Sequence, residues 1–121
     1  MIDWILLLTT LIAVESGGNQ NAVGDTHLQN KAYGILQIRQ PYLDDVNRIS
    51  GTVITMDEVR KSESVSRWVT VTYLRHYGKF YERKTGKKPT MEVYARMHNG
   101  GPYGWRKSST DEYWRKFQKA M

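Results

Sequence analysis

Residues 5–18 read ILLLTTLIAVESGG, an apolar run that ends in one carboxylate and two glycines. The run predicts a buried first helix from Ile2 to Glu15, and the glycine pair suits a helix end because glycine readily adopts the left-handed conformation. Burial disfavours the charged form of a carboxylate, so we expect Glu15 to hold its proton near neutral pH. A carboxyl group in that state is what a general acid requires.

The same run is too short for a membrane span and lacks the flanks of a signal peptide. A span needs roughly 20 apolar residues, whereas Trp4 to Val14 supplies 11. A signal peptide would carry Lys or Arg before the apolar stretch, and only Asp3 stands there. The sequence therefore predicts no stable membrane insertion and no export signal, and hence synthesis in the cytoplasm.

Length and composition indicate one globular domain over residues 1–121, because a chain of this size is too short for two cores. Hydrophobic residues make up 40% and charged residues 25%, which is ordinary for a folded protein. There is no cysteine, so the fold owes nothing to disulfides. The net charge of +6 predicts a polyanionic partner, and nucleic acid and a bacterial wall fit that charge equally well.

Helical periodicity dominates the rest of the chain and predicts a mainly α fold of the α+β kind. The clearest helix covers Ser62 to Arg83, where aromatic and apolar residues recur at three- and four-residue steps. At most a small β element is expected between Gly17 and Ile38, where the chain is polar and turn-like. Further helices are predicted to start near Pro41, Thr55, Thr90 and Thr110, from proline and hydroxyl-x-x-carboxylate start signals.

Four short segments resemble, in this order, those of the lysozyme-like superfamily, specifically the goose-type lysozymes and the lytic transglycosylase domains. They are Glu15-Ser16-Gly17-Gly18, Ala22-Val23-Gly24-Asp25, Tyr33-Gly34-Ile35-Leu36-Gln37-Ile38 and His98-Asn99-Gly100-Gly101-Pro102. The resemblance covers nearly the whole chain. It implies a single compact lysozyme-like domain that cleaves the β-1,4 bond between N-acetylmuramic acid and N-acetylglucosamine in peptidoglycan.

The resemblance also implies catalytic roles. Glu15 would be the general acid, and Asp25 would assist the attack of water, as the second carboxylate of a hydrolase does. Lytic transglycosylases usually have Ser in place of this Asp, so Asp25 favours hydrolysis. Goose-type enzymes have a further Asp where this chain has Arg39, which leaves one water-handling carboxylate missing.

Substrate contacts are implied for six residues, namely Ser16, Tyr33, Gln37, His98, Asn99 and Tyr103. Gln37 would bind saccharide hydroxyls or backbone near the groove, and Asn99 would present its amide to the substrate. His98 stands where the family usually has Tyr. Tyr103 suits either stacking on a sugar or packing in the core.

Alternatives of two kinds stay open. One is a lytic transglycosylase that forms 1,6-anhydro-muropeptides, and the other is a catalytically inactive basic module that binds cell wall or nucleic acid. No reader motif supports nucleic acid, and scattered histidines give no metal site. We expect no cofactor and a monomer, and the missing export signal suits a phage endolysin that reaches the wall after release.

Overall fold

A computed structural model describes residues 1–121. Six α-helices, one two-stranded sheet and two 3₁₀ turns make up the regular structure, so the prediction of a mainly α fold with a small β element is confirmed. No helix combines the length and the apolar character that a membrane span requires. The elements are α1 (Trp4–Ser16), β1 (Val23–Gly24), β2 (Ala32–Tyr33), α2 (Gln40–Ser50), α3 (Met56–Lys61), α4 (Glu63–Thr85), α5 (Met91–Gly100) and α6 (Asp111–Ala120), with 3₁₀ turns at Gly104–Arg106 and Ser108–Thr110.

The chain forms two compact units. The catalytic-motif unit is Glu15–Tyr73, and the terminal unit combines Met1–Val14 with Leu74–Met121. The names refer to the motifs of residues 15–38 and to the two chain ends. The single domain expected over residues 1–121 stays a prediction.

Helix α1 is buried on one face only, which corrects the expectation of a buried helix. Leu7 and Leu11 are fully buried, whereas Ile5 is 78% and Leu6 40% exposed. The helix starts at Trp4 rather than Ile2 because the Asp3 carboxylate accepts a hydrogen bond from the Leu6 amide at 3.0 Å, as an N-terminal cap does. Its end at Ser16 is followed by two glycines with positive φ, as expected.

The catalytic-motif unit is built around a short hairpin and two helices. Strands β1 and β2 pair antiparallel, with Val23 opposite Tyr33 and Gly24 opposite Ala32. Pro41 lies in the first turn of α2, and α3 opens on a complete capping box between Thr55 and Glu58, so both start signals are confirmed. Buried apolar side chains fill the core of this unit, namely Leu36, Ile38, Leu43, Val46, Val59 and Val69.

In the terminal unit, the 3₁₀ turn that contains Gly104 packs directly on the backbone of α5. A Cβ at Gly104 would overlap the carbonyl oxygen of Arg96 and lie 2.9 Å from its carbonyl carbon. The buried Thr110 hydroxyl donates to the Gly104 carbonyl at 2.9 Å, and the Arg96 guanidinium donates to Asp111 at 2.6 Å. These contacts hold the turns after α5 against the helix, so only glycine fits at position 104.

We expect Gly104→Ala to lower the free energy of unfolding by about 1–3 kcal/mol, the usual cost of forcing atoms into a packed site. The added methyl group would meet backbone atoms, which cannot rotate away. Urea unfolding followed by circular dichroism measures the change. Ser109→Ala, at an exposed position of the second 3₁₀ turn, is the matched control. Equal stability of the two variants would contradict the close packing described.

Candidate active site

Glu15 occupies the second-to-last position of α1 and is half-buried. The residue after it fixes this helix end. The Ser16 hydroxyl donates to the carbonyl oxygen of Ile35 at 2.7 Å and accepts from the Gly18 amide at 3.2 Å. Ser16 therefore ties the end of α1 to the segment that carries Gln37, and its hydroxyl is engaged within the protein.

The side chain of Gln37 is hydrogen-bonded to the backbone. Its side-chain amide donates to the carbonyl oxygens of Ala22 at 3.2 Å and Gly34 at 3.0 Å. Its side-chain oxygen lies so close to Gly24 that a Cβ there would overlap it. Of the two uses predicted for Gln37, the structure shows the contact with backbone.

Asp25 follows β1 directly and adopts a left-handed backbone with φ of +52°, a conformation that Asp tolerates better than most residues. Its carboxylate forms an ion pair with Arg39, which also donates to the Asn30 carbonyl at 2.6 Å. Arg39 is the residue that replaces the second carboxylate of the goose-type pattern. It holds the remaining carboxylate in place, and the pair is exposed enough that orientation rather than stability is its main effect.

The other predicted contact residues divide between the two units. Tyr33 belongs to the catalytic-motif unit, where the Arg60 guanidinium lies 4.5 Å from the centre of its ring. His98, Asn99 and Tyr103 belong to the terminal unit. His98 is buried at 8% exposure, Asn99 is exposed, and Tyr103 is 45% exposed. The structure thus places Glu15, Ser16, Asp25, Tyr33 and Gln37 in one unit.

Tyr42 is a residue that sequence reasoning missed. Its ring stacks on that of Tyr73, with centres 3.7 Å apart and planes at 13°. Burial raises the pKa of Tyr42 well above that of a free tyrosine, and the charges of Tyr73 and Glu15 raise it further. Tyr42 is therefore a neutral hydroxyl in the electrostatic neighbourhood of Glu15. No sequence signal marks it, because an aromatic residue in the first turn of a helix is typical of packing.

No cluster of three or more His, Asp or Glu side chains is placed to hold a metal ion. The groups that the sequence motifs bring to the site are carboxyl groups, hydroxyls and a guanidinium. Glu15 and Asp25 are the two carboxylates of the sequence motifs, and both lie in segments fixed by hydrogen bonds to backbone. Such a set can give a proton at one centre and accept one at another.

Comparison with known proteins finds no matching family model. The lysozyme of Meretrix lusoria is 30% identical over 112 residues, which is 93% of this chain and 85% of that protein. Lysozyme 1 of Crassostrea virginica is 50% identical over 38 residues, and the match spans only 21% of its length. Among solved structures, Tapes japonica lysozyme superposes with a TM-score of 0.74 at 27% identity, covering 94% of this chain and 87% of that one.

The raised pKa of Tyr42 predicts a pH dependence of stability. Folding favours the protonated hydroxyl, so this contribution is complete below pH 10, the ordinary value, and is lost as pH rises toward the higher folded-state pKa. Above pH 10 the folded state keeps a Tyr42 proton that the unfolded state has released, so the free energy of unfolding of the wild type falls as pH rises, and that of Tyr42→Phe should fall less steeply. 

The expected outcome is therefore a shallower loss of stability above pH 10 for Tyr42→Phe than for the wild type. Urea unfolding at intervals between pH 8 and pH 11 measures both slopes. Tyr103→Phe is the control, because Tyr103 is exposed and its hydroxyl is not placed in a buried stack. If the Tyr42→Phe slope equals the wild-type slope, Tyr42 ionises as easily in the folded state as in the unfolded state.

Proposed function

The chain belongs to the invertebrate lysozyme family, a family of glycosidases of peptidoglycan, and we propose that it hydrolyses the β-1,4 bond between N-acetylmuramic acid and N-acetylglucosamine. The predictions of a lysozyme-like fold and of an enzyme are confirmed. The goose-type assignment is corrected to the invertebrate type, because the relatives are bivalve lysozymes. Arg39 and His98, where this chain departs from the goose-type pattern, agree with that correction.

One observation carries the assignment of roles. Both motif carboxylates lie in the catalytic-motif unit, and each is positioned by a neighbour that bonds to backbone, Ser16 beside Glu15 and Arg39 beside Asp25. Catalysis by positioned groups needs such support, because a side chain that is not held in the reactive geometry loses most of the rate gain that proximity and orientation give. This support favours an active enzyme over an inactive binding module.

The reaction follows from these roles. Glu15, as the acid, gives its proton to the glycosidic oxygen while the bond from that oxygen to the anomeric carbon breaks. Water attacks the anomeric carbon, and Asp25 accepts the proton that the water loses. One carboxylate oxygen of Asp25 is paired with Arg39, which leaves the other to accept from water. The balance is one bond cleaved and one water consumed.

The remaining site residues take different parts in this proposal. Ser16 and Gln37 shape the site through their backbone bonds, since their donors are already engaged. Tyr33, Asn99 and Tyr103 each present part of a side chain to solvent and are proposed to contact saccharide, and buried His98 is proposed to support Asn99 beside it. No cofactor enters the reaction.

The predictions about origin, reaction type and assembly have different outcomes. The bivalve relatives give no support to a phage endolysin or to synthesis without export. They also do not favour the lytic transglycosylase alternative, because both are lysozymes. A monomer that acts on peptidoglycan strands remains our proposal for the working form.

Replacing the acid tests the central role. We expect Glu15→Gln to lower the rate of wall lysis by about 10²–10⁴-fold, because the amide cannot give a proton to the leaving oxygen. Loss of turbidity of purified walls measures the rate, and circular dichroism checks the fold. Glu63→Gln, which removes an exposed carboxylate on α4, is the matched control. Wild-type lysis by a folded Glu15→Gln variant would refute the assignment.

The role of Asp25 is tested by the product. Wild-type digests should contain muropeptides with free reducing ends, recognised by mass spectrometry as the gain of one water. Asp25→Asn should slow hydrolysis by about 10²-fold or more, because the amide cannot accept the proton of the attacking water. Asn also tolerates the left-handed backbone of this position, so the variant should fold. Digests that hold only 1,6-anhydro products would show a lytic transglycosylase instead.

A further inference from the structure

The terminal unit contains a cavity of about 510 Å³, and of the site residues assigned above only Tyr103 lines it. It lies between the second half of α4 and the loop after α5. Its size falls in the range of small-molecule sites, roughly 300–1,000 Å³. Eight residues line it, among them Tyr81, Arg83, Lys84, Pro102, Tyr103 and Trp105.

Aromatic side chains form much of the cavity wall. Trp105 and Tyr81 meet edge to face, with ring centres 5.0 Å apart and planes at 84°, which fixes the orientation of both rings. Tyr103 is 45% exposed. An oriented ring with an accessible face can pack against a flat apolar surface of a ligand. The C–H face of a pyranose ring is a surface of this kind.

Cationic side chains lie beside two of the aromatic rings that line the cavity, Tyr103 and Phe80. The Lys84 amine lies 5.5 Å and the Arg106 guanidinium 4.3 Å from the centre of the Tyr103 ring, and Arg83 lies 4.6 Å from that of Phe80. None of these three cations forms a salt bridge. Arg96 in the same unit differs, because Glu92 and Asp111 neutralise it. The aromatic cavity therefore carries a positive charge that no protein carboxylate balances.

We propose that this cavity binds an anionic muropeptide, with its sugar ring against Tyr103 and Trp105 and a carboxylate of its peptide stem on Arg83 and Lys84. The inference rests on the proposed function for the identity of the polymer, since peptidoglycan joins a pyranose ring to a carboxylate. A glycerol phosphate polymer offers the charge without the ring. Single-stranded nucleic acid combines bases that can stack with negative charge, so its affinity is compared with that of the muropeptide.

The probe is N-acetylglucosaminyl-N-acetylmuramyl-alanyl-glutamate, which is anionic and lacks the bond that the enzyme is proposed to cut. Isothermal titration calorimetry measures its affinity for the wild type and for Arg83→Gln combined with Lys84→Gln. We expect the double variant to bind about tenfold or more weakly, because it loses charge-assisted hydrogen bonds to the carboxylate. Lys116→Gln combined with Lys119→Gln removes the same charge from exposed positions of α6 and should bind as the wild type does.

Three results would overturn the proposal. The first is equal weakening in both double variants, which would make the attraction a property of net charge. The second is equal affinity of the wild type for neutral chitobiose, which would remove the role of the cations. The third is tighter binding of oligothymidylate than of the muropeptide, which would assign the cavity to nucleic acid.

A further variant separates this proposal from the proposed function. Glu15→Gln should keep the wild-type affinity for the muropeptide, because none of the cavity residues belongs to the catalytic-motif unit. Full lysis by that variant would refute the role of Glu15 as general acid, but it would not affect the comparison of muropeptide affinities between the wild type and the charge variants. Trp105→Ala, checked for folding by circular dichroism, should lower the affinity for both the muropeptide and any neutral sugar. Unchanged affinity in a folded Trp105→Ala variant would refute the stacking.

Discussion

The side-chain amide of Gln37 donates to the carbonyl oxygens of Ala22 and Gly34, and the loops of the catalytic-motif unit depend on these two bonds. Each carbonyl also accepts a backbone amide, Ala22 from Gly34 at 2.9 Å and Gly34 from Gln37 at 3.2 Å, so the side chain adds a second hydrogen bond to each. The side-chain amide thus binds one carbonyl on each side of the hairpin. It thereby holds β1, and the Asp25 that follows it, against the segment after β2.

Ser16 extends the same arrangement to the first helix, because its hydroxyl bonds to the Ile35 carbonyl two residues before Gln37. Glu15 and Asp25 are therefore placed by separate bonds to one short segment. The surroundings of the two carboxylates differ. Asp25 faces a guanidinium, whereas Glu15 shares its neighbourhood with the uncharged Tyr42.

Much of the fold could be predicted because its signals are local. Pro41 and the Thr55–Glu58 capping box each act within one helical turn. The three- and four-residue spacing of aromatic residues in α4 predicts a helix without reference to the rest of the chain. The exposure of Ile5 and Leu6 could not be predicted, since a helix that is apolar over most of its surface shows no clear polar face from which the buried side could be read. The Asp25–Arg39 pair and the Tyr42–Tyr73 stack join residues brought together only by folding.

The family motifs mark these residues without telling which of them touch substrate. Gly24 illustrates the ambiguity, because a glycine before an Asp suggests a turn and nothing more. In the structure its missing Cβ leaves the space that the Gln37 side-chain oxygen fills. A larger residue at position 24 would displace the Gln37 side chain, remove its hydrogen bonds to the Ala22 and Gly34 carbonyls, and so disturb Asp25 without touching it. Motif residues such as Gly24, Ser16 and Gln37 are thus explained by the positioning of the two carboxylates.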